Sequence, residues 1–107
     1  MALARVQMPA AAKRGQVIEV RIVIKHVMET GFRFDDDGRI IPRNVITNVV
    51  CRYNGHEVFR AETGSGIAAN PYLRFHAVAE ASGEFVFEWV DDAGERGMER
   101  AALTVTA

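Results

Sequence analysis

Nucleophilic, redox or metal chemistry in this chain would have to come from one cysteine and three histidines. Cys51 and His56 are close in the sequence, but the turn predicted at Asn54-Gly55 separates them. That turn predicts three opposite pairs, which are Tyr53 with His56, Arg52 with Glu57, and Cys51 with Val58. Cys51 would therefore not face His56, and we expect a structural thiol in the core or at an interface, since free cysteine usually behaves as a small hydrophobic residue.

The three histidines are His26, His56 and His76. They fall at a strand end, beside a turn and on the outward side of another strand, and no HxH or HxxxH spacing relates them. We therefore expect them to face solvent or a partner, and we expect no metal or other cofactor. A small metal- or redox-active immunoglobulin-like protein that uses these histidines or Cys51 stays open as the alternative.

The aspartates cluster in two acidic turns, and the carboxylates of the chain form no catalytic pair. Asp35-Asp36-Asp37-Gly38 lacks the spaced oxygens and the late glutamate of a calcium loop, so we expect a solvated turn. Asp91-Asp92-Ala93-Gly94 has the same interpretation. Gly64-Ser65-Gly66 is not a phosphate-binding loop, because no lysine motif or helix start follows it. The residues therefore favour a binding module over an enzyme.

Length and composition limit the class of protein. The chain has 107 residues, which predicts a single domain over residues 1–107. Its formal net charge of −1 argues against a nucleic-acid binder, and no apolar run approaches the ~20 residues of a membrane span. The first residues do not form a basic region followed by an apolar stretch, so no secretory signal is expected. This pattern predicts the cytoplasm, unless another protein carries the chain across a membrane.

Alternation with a period of two predicts an all-β chain of about seven short strands. Val17 to Lys25 is the most regular, with Ile18, Val20, Ile22 and Ile24 on one face. The other predicted strands are Leu3 to Met8, Ile46 to Tyr53, His56 to Arg60, a strand that starts at Pro71, Glu84 to Asp91, and Gly97 to Thr106. With turn residues between them and no helical periodicity, they predict an immunoglobulin-like antiparallel β-sandwich.

A long connection follows the strand that ends at Lys25 and runs to about Asn44. Connections of this length are uncommon in compact domains and are more often functional than incidental. Asp37-Gly38 lies between two apolar stretches, which predicts a small β-ribbon projecting from the sheet. Residues 61–69 form a second, weakly patterned connection that is predicted to cross between strands.

Five segments are specific to one family when their order and spacing are taken together. They are Ile24-Lys25-His26-Val27-Met28-Glu29-Thr30-Gly31, Asp36-Asp37-Gly38 with Ile41-Pro42-Arg43, Tyr53-Asn54-Gly55 before Val58-Phe59, Ala69-Asn70-Pro71-Tyr72-Leu73 with Phe75, and Trp89 before Asp91 and Gly94. On these segments the chain resembles the SoxZ family, from about Arg5 to Val105. Val27 departs from the family motif, which has proline at this position.

The resemblance implies an immunoglobulin-like subunit of a SoxYZ-type carrier complex in bacterial thiosulfate oxidation. In that family the SoxY-like partner holds sulfur intermediates on a cysteine of its flexible C-terminal arm, and other Sox enzymes visit the complex transiently. The chain would then be non-catalytic, would bind no nucleic acid or membrane, and would form a heterodimer with SoxY. The family works in the periplasm, so the resemblance implies export together with a signal-bearing partner.

The resemblance also suggests which residues contact the partner or the visiting enzymes. The expected contact residues are Met28, Glu29, Thr30, Gly31, Phe32, Arg33, Arg43, Asn70, Pro71, Tyr72 and Phe75. Methionine suits adaptable interfaces, and Arg33 or Arg43 could steer anionic groups. The alternative for Met28 and Phe32 is that they cap the sandwich. A stand-alone adhesion or transport module is the third functional hypothesis.

Overall fold

The computed structural model describes residues 3–25, 31–62 and 72–107. These residues form eight strands: β1 (Leu3–Gln7), β2 (Ala11–Lys13), β3 (Val17–Lys25), β4 (Ile46–Tyr53), β5 (His56–Glu62), β6 (Tyr72–Val78), β7 (Gly83–Asp91) and β8 (Arg96–Thr106). Within the described ranges no segment is helical, so none is a helix long and apolar enough to cross a membrane.

The strands form two sheets, with the orders β1-β3-β6 and β2-β8-β7-β4-β5. Neighbouring strands are antiparallel except for β2, which pairs parallel with β8. The predicted all-β sandwich is therefore confirmed. Strand β2 was not predicted, because three residues carry too little alternation to be recognised as a strand.

The core lies between the two sheets and follows the predicted alternation. Side chains from both sheets bury there, including Ile18, Val20, Ile22 and Ile24 of β3 and Phe85, Phe87 and Trp89 of β7. Aromatic rings bridge strands within this core. Phe59 and Phe75 stack with centroids 4.5 Å apart, and Tyr53 stacks on Phe85 at 4.3 Å. Such pairs add to the free energy gained by area burial alone.

The β4–β5 hairpin turns at Asn54-Gly55, as predicted. Both residues have positive φ, 50° and 84°, which is the requirement of a type I′ turn. The predicted pairs of Tyr53 with His56 and Arg52 with Glu57 are observed, but the third is wrong. Cys51 pairs with Phe59, because a β-bulge between the second and third pairs adds one residue to β5.

The register determines which strand ends lie together. β3 ends beside the start of β6, and β4 begins where β5 and β7 end. At the opposite end, the Ala81 amide donates to the Tyr53 hydroxyl at 3.1 Å, joining the segment after β6 to the end of β4. The end of β3 and the start of β4 therefore share one end of the sandwich, here called the ribbon end.

The molecule is elongated, with extents of 62 × 19 × 18 Å. The longest described segment outside the strands is 31–45.

Candidate partner-binding surface

Residues 33–41 fold into the small ribbon that the Asp37-Gly38 pair predicts. Phe34 and Ile40 form an antiparallel bridge. The Ile41 amide donates to the Arg33 carbonyl at 2.8 Å on one side of the bridge, and the Asp35 amide donates to the Arg39 carbonyl at 2.8 Å on the other. Phe34 and Ile40 are thus a non-hydrogen-bonded pair, the arrangement that brings two opposite side chains closest.

The tip of the ribbon is held by its own acidic residue. The Asp35 carboxylate accepts hydrogen bonds from the amides of Asp37 and Arg39, both at 2.9 Å. Gly38 has a φ of 78°, which glycine adopts without steric cost. Asp35 therefore closes the turn by bonding its own backbone, as aspartate commonly does.

One face of the ribbon is apolar and exposed. The relative solvent exposures of Phe32, Phe34 and Ile40 are 84%, 65% and 60%. Phe34 and Ile40 are opposite each other in the bridge and therefore share one face. Phe32 is two residues before Phe34, so an extended backbone would place its side chain on that face as well. Three large hydrophobic residues on one face are typical of a surface that another protein covers, whereas scattered single ones are not.

The base of the ribbon is fixed to the β7–β8 turn. The Arg43 Nε donates to the Asp92 Oδ2 at 2.8 Å, and the Val45 amide donates to the same oxygen at 3.1 Å. The Asp92 amide in turn donates to the Val45 carbonyl at 3.0 Å. Gly31, with φ +89°, lies so close to Arg43 that an added Cβ would be 3.3 Å from the Arg43 Cβ.

The prediction of a solvated turn at Asp91-Asp92-Ala93-Gly94 is wrong for its first residue. Asp91 is buried, and its carboxylate accepts a hydrogen bond from the Glu95 amide at 2.9 Å. The Gly94 amide donates to the Asp91 carbonyl at 3.0 Å. Sequence reasoning missed this role because an Asp-Asp pair beside glycine has the composition of an ordinary surface turn.

The structure describes six of the eleven predicted contact residues. Gly31, Phe32, Arg33 and Arg43 lie in or beside the ribbon, and Tyr72 lies exposed at the start of β6. Because β6 starts where β3 ends, these five residues share the ribbon end. The other predictions on this connection and the next, namely Met28, Glu29, Thr30, Asn70 and Pro71, lie outside the described residues, as do Val27 and His26.

Phe75 requires a correction. Its side chain is only 8% exposed and stacks on Phe59 inside the sandwich. Alternation along β6 turns Phe75 inward with Ala77, whereas Tyr72 and Arg74 turn outward. Phe75 is therefore a core residue and offers no side-chain surface to a partner.

Cys51 lies in the core, as predicted, with no exposed surface. Burial raises the pKa of its thiol to about 12, since the apolar surroundings disfavour the charged thiolate. At neutral pH the side chain is a protonated thiol, which is neither a nucleophile nor a metal ligand.

His56 and His76 line one pocket of about 510 Å³ on the open side of the sandwich, between the edge strands β5 and β6. Its other lining residues include Tyr53, Glu80 and two exposed valines. Within the described ranges, no three histidine, cysteine or acidic side chains approach each other closely enough to hold a metal ion. The two histidines that the structure describes, His56 and His76, thus line the same pocket, and Cys51 is not among its lining residues.

Phe34, Ile40 and Asp92 are candidate functional residues that were not among the predicted contact residues. The sequence could have indicated the first two, because Phe34 and Ile40 lie on either side of the Asp35 to Gly38 turn at positions that face each other in a hairpin. Asp92 gave no such signal, since its partners Arg43 and Val45 are 49 and 47 residues away.

Comparisons with known proteins agree with this architecture. The solved superoxide reductase (neelaredoxin) from Ignicoccus hospitalis matches with a TM-score of 0.73 and 16% identity, covering 96% of this chain and 80% of that one. The sulfur carrier protein SoxY from Chlorobium limicola f. thiosulfatophilum matches with a TM-score of 0.66 and 12% identity, covering 97% and 79%. At these identities the likeness shows a shared fold only. A search of curated proteins finds no relative.

Sequence comparison with protein families is more specific. The family described as sulphur oxidation protein SoxZ matches residues 6–102, which is nearly the whole chain. All five segments that carry the resemblance in the sequence fall within this range. The chain belongs to the SoxZ family.

Proposed function

We propose that this protein is the non-catalytic subunit of a SoxYZ-type sulfur carrier complex. It binds a SoxY-like chain as a heterodimer and presents it while that chain's C-terminal cysteine carries covalent sulfur intermediates of thiosulfate oxidation. The observation that carries the proposal is the SoxZ family match over residues 6–102. The solved SoxY has the same fold, so the two subunits would be a pair of similar sandwiches.

The apolar face of the ribbon is the contact surface that the geometry favours. An aromatic side chain buries about 150–250 Å² when covered, and a standard interface buries about 800 Å² on each partner. Phe32 and Phe34 alone would thus supply a large share of one side. The fixed base at Asp92 lets the ribbon meet a partner without the entropy loss of ordering a free loop.

The chemistry of the described side chains favours a non-catalytic role in the complex over a catalytic one. Cys51 is buried and protonated, so it does not compete with the partner's cysteine for sulfur. Arg33 and Arg43 remain proposed contributors at the ribbon. Arg43 already pairs with Asp92, so we assign it to ribbon positioning before anion steering.

The same proposal includes the periplasm as the site of action. The ground is family membership: a SoxZ-like subunit would cross the membrane folded with its partner, on the partner's signal. Transient contact with the other Sox enzymes would then occur in that compartment.

Co-expression with the adjacent SoxY-like reading frame tests the proposal. With a tag on this chain only, we expect a 1:1 complex to co-purify, and fractionation should recover both chains in the periplasm. Deleting the partner's signal should return both chains to the cytoplasm. Absence of the complex, or turnover of thiosulfate by the purified single chain, would refute the proposal.

A further inference from the structure

The outer face of the three-stranded sheet carries an unbalanced positive charge. Its exposed side chains include four cations, namely Arg5, Arg21, Lys25 and Arg74, against the single carboxylate of Glu19. We call these five residues the basic face. The chain as a whole has a formal net charge of −1, so the excess is a local feature of this sheet.

The arginines of the basic face lie close together. Arg21 and Arg74 are directly opposite each other on β3 and β6, where side-chain Cβ atoms are about 5 Å apart. Arg5 on β1 pairs with Val23, which makes it a diagonal neighbour of Arg21 at roughly 7 Å. Like charges directly opposite in a sheet destabilise it, so this arrangement costs folding free energy in the isolated chain.

Glu19 compensates for only part of this charge. Arg21 Nε donates to its carboxylate, His76 Nε2 lies 3.8 Å away, and these neighbours hold the pKa of Glu19 below its ordinary value, with the Arg21 hydrogen bond as the largest cause. Arg5 and Arg74 make no hydrogen bond or ion pair with any residue in the described ranges.

The other sheet provides a contrast within the same molecule. Its outer face carries charges of both signs, namely Lys13, Arg52, Arg60, Arg96 and Arg100 against Glu57, Glu62, Glu84 and Glu88. Two cations there are already paired, Arg52 with Glu88 at 2.8 Å and Arg60 with Glu57 at 2.7 Å. The five-stranded sheet is therefore nearly neutral and internally paired.

We propose that the basic face is a second docking surface, separate from the ribbon, and that it binds an acidic protein surface. Its cations are spread over three adjacent strands of one sheet, which suits an extended counter-surface. A small oxyanion would need convergent donors, and Glu19 already occupies the Arg21 guanidinium. Nucleic acid is disfavoured because four cations with a carboxylate among them are few against the phosphates that a duplex binder neutralises.

Such a surface would act mainly on association rate and specificity. Complementary charge steers diffusional encounter and is screened beyond about 10 Å at 0.1 M salt. The proposal extends beyond the ribbon contact, because the basic face lies on the strands β1, β3 and β6, whereas the ribbon is formed by residues 33–41.

The test uses the full chain, a 20-residue poly-L-glutamate peptide as the probe, and backbone amide NMR at 20 mM NaCl. We expect shift changes on β1, β3 and β6, and binding at least tenfold weaker at 200 mM NaCl. Arg74→Glu should weaken binding at least fivefold. Arg100→Glu makes the same change in net charge on the other sheet and should alter it less than twofold.

Several results would overturn this proposal. They are no binding of poly-L-glutamate, equal losses in Arg74→Glu and Arg100→Glu, tighter binding of a DNA duplex of equal charge, or equally tight binding of inorganic sulfate. Circular dichroism must show both variants folded, and Arg5→Glu provides a second variant if Arg74→Glu is not. Binding of the SoxY-like chain is measured separately, so failure of the basic face leaves the ribbon proposal standing.

Discussion

At the scale of single residues, burial decides which side chains have chemistry available. Cys51 is the chain's one thiol and lies on the inner face of β4, opposite Phe59 and Phe87. Its position follows from the alternation of Val49, Cys51 and Tyr53, which the sequence alone predicts. The same pattern that identifies a strand therefore also removes Cys51 from the list of reactive groups.

The raised pKa of Cys51 predicts how stability varies with pH. The thiol ionises near 9.0 when exposed and near 12 when folded, so the folded state holds its proton longer. Stability contributed by this group is fully present below pH 9 and is lost as pH rises from 9 towards 12. Relative to Cys51→Ala, the wild type should lose roughly 1 kcal/mol per pH unit above pH 9.

Urea denaturation of both proteins between pH 7 and 10.5 measures this difference. Taking the difference cancels the titration of tyrosines and lysines, which both proteins share. A stability difference that stays constant across the range would contradict a buried, protonated thiol. The native wild type should also react with a thiol reagent only as fast as it unfolds.

At the scale of elements, Asp92 connects the ribbon to the sandwich. Its carboxylate accepts hydrogen bonds from Arg43 and from the Val45 amide, which are 49 and 47 residues earlier in the chain. Val45 is fully buried, so leaving its amide without an acceptor should cost more folding free energy than losing an exposed ion pair.

Asp92→Ala should lower the free energy of unfolding by about 1–3 kcal/mol. Arg43→Gln removes only the half-exposed ion pair and should cost less than ~1 kcal/mol. Asp36→Ala, the same chemical change at the exposed ribbon tip, is the matched control and should be neutral within ~0.5 kcal/mol. Chemical denaturation checks all three. An Asp92→Ala variant as stable as Asp36→Ala would show that the hydrogen bonds of Asp92 with Arg43 and Val45 do not stabilise the fold.

Local sequence pattern predicts most elements of this fold because their signals are local. The long strand from Val17 to Lys25 and the turn at Asn54-Gly55 each follow from residues adjacent in the chain. Three features depend on distant partners, so no local pattern encodes them. They are the three-residue β2, the bulge in β5 and the hydrogen bonds of Asp92 with Arg43 and Val45. Phe75 was misassigned because a resemblance to a family motif does not distinguish contact residues from core residues.

At the scale of the whole molecule, exposed features separate onto different surfaces. The ribbon is apolar on one face, the outer side of the three-stranded sheet is basic, and the five-stranded sheet is balanced and paired. In the proposed role, this division would let each surface meet a different protein. Membership of the SoxZ family agrees with that role.

The central claim is that the ribbon's apolar face binds the carrier partner. Calorimetric titration with the purified SoxY-like chain tests it with the double variant Phe34→Ala/Ile40→Ala. Both side chains are exposed in the free chain, so folding should be unaffected. Each should contribute more than ~1 kcal/mol as a true anchor, which predicts at least a tenfold loss of affinity.

Met98→Ala is the matched control, because Met98 is 53% exposed on the outer face of the five-stranded sheet. The account predicts wild-type affinity for this variant together with the tenfold loss for the ribbon variant. If the folded ribbon variant binds the partner within threefold of the wild type, the ribbon is not the contact surface.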